Sequence, residues 1–147
     1  MAILRSILGV VVGLVLGSFL VGVLEFAGHI IFPPPPGMDP TSMESIREHL
    51  PNLPVGAFVS VLVAWTIGVF AGSLVSALIA GRASFIHAGI VGVIFLGFCV
   101  LNLVMIPHPV WFLAATIVAV PLATLGGALL GKRPPDAKAE PAQNVAK

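Results

Sequence analysis

Residues 7–32, ILGVVVGLVLGSFLVGVLEFAGHIIF, decide how the whole chain is read. The run is longer than the roughly 20 apolar residues a bilayer-spanning helix needs, so it predicts a span that tilts or projects. Its length, and the lack of a small-x-small cleavage site after it, favour a retained span over a signal peptide. Near its end stands Glu25, the only Asp or Glu in any apolar run of the chain. A carboxylate at membrane depth is expensive and marks a functional site by default.

Working outward, three more runs follow, at about 55–80, 85–106 and 110–130. The chain is 58% hydrophobic and 9% charged, which leaves too little polar surface for a water-soluble domain. The expected fold is all-α: an integral membrane bundle of four transmembrane helices forming one domain over residues 1–131. Residues 132–147 are polar and rich in Pro, Ala and Lys, and read as a disordered cytoplasmic tail. Pro121 is expected to kink the fourth span. The single cysteine, Cys99, excludes an intrachain disulfide and reads as a packed small hydrophobe.

The first connection is the long one. Pro33 to Pro36 end the first span and favour an extended polyproline segment, and Gly37 frees a turn. Asp39-Pro40, or Thr41 with Glu44 three residues on, reads as a helix start. Met43, Ile46 and Leu50 then share one face, giving a short amphipathic helix on the membrane surface that Pro51 and Pro54 terminate. Gly81-Arg82-Ala83-Ser84 and Pro107-His108-Pro109 are tight connections, so the later spans pack antiparallel. Arg5, Arg82, Lys132, Arg133, Lys138 and Lys147 fall on one side and Arg47 alone on the other, which predicts N-in, C-in.

Rows of small residues at four-residue spacing predict close helix–helix packing: Gly9, Gly13 and Gly17 on the first span, and Ala64, Gly68, Gly72 and Ser76 on the second. One row could instead serve self-association. The bilayer is the expected surrounding partner. No basic patch is large enough for nucleic acid.

Polar residues gather towards the outer half. Ser18, Gly22, Glu25 and His29 form one stripe, Asn102 lies near the outer end of the third span, and His108 caps the third and fourth. Trp65 lies deep in the second span, and a buried indole N–H wants an acceptor, for which Glu25 is available. Three readings of this polar pocket stay open: a structural network in which Glu25 and His29 pair or join Asn102, a proton- or solute-handling site, and a metal site made of Glu25, His29 and His108. His49 and His87 read as interfacial side chains, and Trp111 as an interface anchor. No nucleophilic triad, phosphate-binding glycine loop or Cys-rich zinc pattern is present, so neither a cofactor nor an enzyme is the favoured reading.

A lone membrane Glu in the first of four short spans resembles the small multidrug resistance transporters, which implies a dimer binding cationic drugs and protons at Glu25. The chain differs in the outward position of Glu25, its long proline-rich loop and its one-sided charge. With a Glu–His pair before a proline run and a Pro-His-Pro turn beside Trp111, residues 5–131 also look like uncharacterised four-span bacterial inner-membrane proteins. That resemblance implies architecture and a bacterial inner membrane, and no activity. The functional expectation is a binding or accessory membrane protein with an outward-facing polar pocket, the alternatives being a small proton-coupled transporter or a metal-binding protein.

Overall fold

The computed structural model describes residues 2–39, 41–81 and 84–132. Arg82, Arg133 and the rest of the expected tail, and the Pro40 of the expected helix start, lie outside the described residues. Within them the chain is all-helical: α1 (Ala2–Ile31), α2 (Met43–His49), a 3-10 turn (Leu50–Asn52), α3 (Val55–Ala80), α4 (Ser84–Met105) and α5 (Val110–Leu130). All but α2 are long and apolar enough to cross a membrane, and they pack as a four-helix bundle. α5 runs unbroken through Pro121. Large apolar side chains such as Phe19 and Phe26 point outward from α1 while Gly9, Gly13, Gly17 and Gly28 face inward. That is the arrangement hydrocarbon surroundings favour, since lipid contact costs an apolar side chain nothing and close approach needs small residues.

α1 lies along α3 through the two small-residue rows. A Cβ on Gly13 would stand 2.5 Å from the Gly72 carbonyl oxygen, and one on Gly72 would stand 2.6 Å from that of Gly13. The helices therefore touch backbone to backbone, where only glycine fits. α1 touches α4 far less. It meets α4 at Gly17, whose Cβ position lies 2.8 Å from the Phe95 ring.

The bundle tapers. At the end carrying Arg5, the alanines Ala77, Ala88 and Ala128 close α3, α4 and α5 onto one another. At the opposite end, which carries the two proline-rich connections and is called the loop end below, Phe58 and Phe112 fill the core, with Trp65 and Phe95 following at mid-bundle. Small residues draw helices together and aromatic rings hold them apart, so space opens at the loop end.

Two arginines tie off helix ends. The Arg5 Nε donates to the Ile79 carbonyl oxygen at 2.6 Å, in the last turn of α3. The Arg47 Nε and Nη2 donate to the Met105 carbonyl oxygen at 3.0 and 2.7 Å, at the end of α4. Each meets carbonyls that have no intrahelical partner and carry the negative end of the helix dipole. Arg47 thereby docks α2 onto the bundle, with Ile46 and Leu50 packed on the core.

The start of α2 corrects the expected capping. Its N-cap is Ser42, whose hydroxyl accepts from the Ser45 N–H at 3.3 Å. Thr41 is engaged one step earlier, its N–H and hydroxyl both donating to the Asp39 carboxylate at 2.8 and 2.7 Å. These bonds, side chain first, lower the Asp39 pKa. Ser42 wins the cap because the Asx turn at Asp39 has already claimed Thr41. Ahead of it, the Met38 N–H donates to Pro35 oxygen at 3.1 Å across Pro36-Gly37, with Gly37 at φ 90°. A positive φ at the third turn position is what glycine permits.

Candidate functional site

Glu25 enters the bundle because Gly28, one turn on, lets α1 approach α3: a Cβ there would stand 2.8 Å from the Ser60 hydroxyl. The same closeness brings the deep Trp65 of α3 opposite Glu25. The Trp65 Nε1–H donates to Glu25 Oε1 at 2.7 Å. The Trp65 indole is buried, so this bond satisfies a donor that its apolar neighbours could not. Glu25 Oε2 has no hydrogen-bond partner among the described residues.

Glu25 and His29 do not pair through their side chains. The His29 Nδ1 lies 2.8 Å from the Glu25 main-chain oxygen. A carbonyl can only accept, so Nδ1 carries the proton and Nε2 is left as the free ring nitrogen. The i,i+4 spacing that suggested a carboxylate–imidazole pair is satisfied by the backbone instead, because the Glu25 side chain turns inward to Trp65.

His108 is fixed differently. Its Nδ1 lies 2.8 Å from the Ile106 oxygen, and its ring stacks on Phe112 at 4.8 Å with a 15° interplanar angle. Phe58 closes the other side edge-on at 6.1 Å, and Phe112 stands edge-on to Trp65 at 5.5 Å. Desolvation within this aromatic nest lowers the His108 pKa, with the Ile106 bond opposing it. Trp111 joins the cluster, edge-on to Phe58 and Phe112, while remaining 40% exposed. It serves as a packing ring as well as an interfacial one.

These groups border two cavities. The first, about 330 Å³ at the loop end, is bordered by Glu25, His29, Trp65, Asn102 and His108. α2 and its flanks roof it with Met38, Ile46, Leu50 and Leu53, and Phe32, Phe58, Val61 and Ile106 make its walls apolar. The second, about 240 Å³, is a cleft between α1 and α4 with Ser18, Val21, Phe95, Phe98 and Cys99 on its sides. Glu25, Trp65 and Asn102 belong to both and form the neck between them. The Asn102 side chain has no hydrogen-bond partner among the described residues.

The metal trio is not assembled. Among the described residues no three His, Cys, Asp or Glu side chains stand together as a metal site. Glu25 is turned to Trp65, His29 is exposed on the helix surface, and His108 is clamped between aromatic rings. Sequence reasoning missed the roofing role of Arg47 and the aromatic wall of Phe58 and Phe112. The isolation of Arg47 as the one basic residue of its loop was the available signal for the first. The spacing of Phe58 and Trp65, seven apart on α3, was a signal for the second.

Comparison with known proteins gave no matching family model, no matching curated protein and no matching solved structure. The site itself offers one carboxyl oxygen and one amide without partners among the described residues, two imidazoles held through Nδ1, and apolar walls.

Proposed function

We propose that this chain is a small-molecule-binding or accessory protein of a bacterial inner membrane, oriented N-in and C-in, with an outward-facing pocket around Glu25. The observation that carries this reading is the neck. Trp65 holds Glu25 in place through Oε1 and leaves Oε2 and the Asn102 amide without partners beside two cavities. Glu25 and Asn102 are both only part-buried, so these atoms reach the cavities, where a bound molecule can hydrogen-bond to them.

Native mass spectrometry of the full chain released from detergent tests it. A small-molecule adduct is expected on the wild type and not on the double variant Glu25→Leu with Asn102→Leu, which removes both unpartnered polar groups of the neck. Bare protein in both cases would refute the pocket. The six-to-one distribution of Lys and Arg supports the orientation. Cysteine introduced at position 138 should resist a membrane-impermeant thiol reagent in intact cells, and one at position 39 should react.

Proton-coupled transport is the second reading, favoured by one observation: Glu25 borders both cavities and so could be reached from either. Glu25→Gln should then preserve the fold and abolish pH-dependent solute flux in liposomes. Equal flux in the two proteins would remove this reading.

A further inference from the structure

The neck gives on one side to the cleft between α1 and α4 and on the other to the loop-end cavity, which α2 partly roofs. At the loop end α2 covers the cavity, held down by Arg47 on the Met105 carbonyl. At the side, α1 and α4 touch near Gly17 and Phe95 and part above that level. Phe98, on the outer lip of the resulting cleft, is 62% exposed. In a bundle of membrane-spanning helices that lip faces hydrocarbon. From Ser18 at the foot to Glu25 at the neck the cleft runs seven residues of helix, about 10 Å. A volume near 240 Å³ lies below the roughly 300–1,000 Å³ of pockets for drug-sized ligands and suits one hydrocarbon chain rather than two.

The neck also selects a head group. Glu25 Oε2 can accept a hydrogen bond, and the Asn102 amide offers both a donor and an acceptor. A hydroxyl donates once and accepts, so it can serve both residues together. A quaternary ammonium has no hydrogen to give and nothing for the Asn102 N–H. A diacyl phospholipid is too broad for the cleft.

We infer that the pocket takes a neutral, hydroxyl-headed, single-chain lipid from the bilayer, which passes sideways between α1 and α4, rests its chain against Phe95 and Phe98, and places its hydroxyl between Glu25 and Asn102. This rests on the binding reading above and specifies its ligand and its route.

The test uses the full chain with Trp111→Phe, so that Trp65 is the only emitter, in phosphatidylcholine nanodiscs. A monoacylglycerol brominated at mid-chain is titrated in, and quenching of Trp65 is followed. Saturable quenching is expected, deeper than that by phosphatidylcholine brominated at the same depth and mole fraction. Asn102→Leu should weaken it about tenfold through loss of one hydrogen bond. Ser18→Phe should abolish it by plugging the foot of the cleft from its exposed side, where no α1–α3 contact is disturbed. Equal quenching by both brominated lipids would mean annular contact only and would overturn the inference. So would displacement of the probe by dodecyltrimethylammonium with undiminished strength in Asn102→Leu. No saturable quenching while the mass adduct persists defeats the lipid and spares the pocket; loss of both defeats both.

Discussion

Gly72→Ala should destabilise this protein although alanine is the better helix former. In an open helix interior the exchange gains about 1 kcal/mol. Position 72 is not open: the new Cβ would stand 2.6 Å from the Gly13 carbonyl oxygen, against 3.4 Å where ordinary contact begins. The obstacle is backbone, so no rotamer change relieves it. α1 and α3 must part by about 0.8 Å locally, and gaps of 0.5–1 Å forfeit roughly a quarter to a half of each dispersion contact. Gly9 and Gly17 share the same seam, so the loss spreads along it. Overpacking of this kind costs about 1–3 kcal/mol, which outweighs the propensity gain and leaves a net loss of roughly 1–2 kcal/mol. Gly22→Ala on the same helix pair is the control, because nothing lies within 4 Å of its Cβ position. It should be neutral or stabilising by up to about 1 kcal/mol. Unfolding followed by tryptophan fluorescence in detergent, driven by heat or by sodium dodecyl sulfate, measures both. The reasoning is wrong if Gly72→Ala proves as stable as Gly22→Ala, because the two helices would then not be in backbone contact in solution.

Trp65→Phe should cost roughly 1–3 kcal/mol by stranding the Glu25 carboxylate, and adding Glu25→Leu should recover part of that loss; strict additivity in the double-mutant cycle would deny the 2.7 Å bond. Arg47→Ala should raise hydrogen–deuterium exchange across residues 43–53 while leaving exchange in α5 unchanged, and an unaltered pattern would show that α2 is held by its apolar face alone. His108 has a folded-state pKa below its ordinary 6.5. Between those two values the unfolded chain binds the proton and the folded chain does not, so stability is full above pH 6.5 and declines as pH falls through the folded value. His108→Phe, which keeps the stack on Phe112, should flatten that part of the pH profile; an identical acid limb in both proteins would assign it to other groups.

The spans were legible because a bilayer imposes length and apolarity on each helix independently, and local sequence records both. The glycine seam between α1 and α3 was legible for a similar reason, since four-residue spacing is a local property. Thr41 against Ser42 was not: the choice depends on the Asx turn at Asp39 taking Thr41 first, and both residues have equal capping chemistry. The depth of Trp65 announced a need for an acceptor. Glu25, the one carboxylate in any apolar run, was legible as that acceptor; that His29 consequently turns to a main-chain oxygen was not, because it depends on how closely Gly28 brings two helices together. The cleft between α1 and α4 left no local trace, because it is made by residues that fail to meet.

The Arg47–Met105 tie has a consequence for how the chain is made. Its two ends lie 58 residues apart, and α3 and nearly all of α4 must be synthesised between them. At about 5–20 residues per second the ribosome takes roughly 3–12 s to deliver that carbonyl. Until then Arg47 has no anchor and α2 has no core to rest on. The chamber beneath it stays uncovered, with nascent α1 and α3 already able to join through their glycines. Closure of the roof is thus a late event in biogenesis, timed by the emergence of the third span, and whatever occupies the chamber has those seconds in which to arrive before the latch is set.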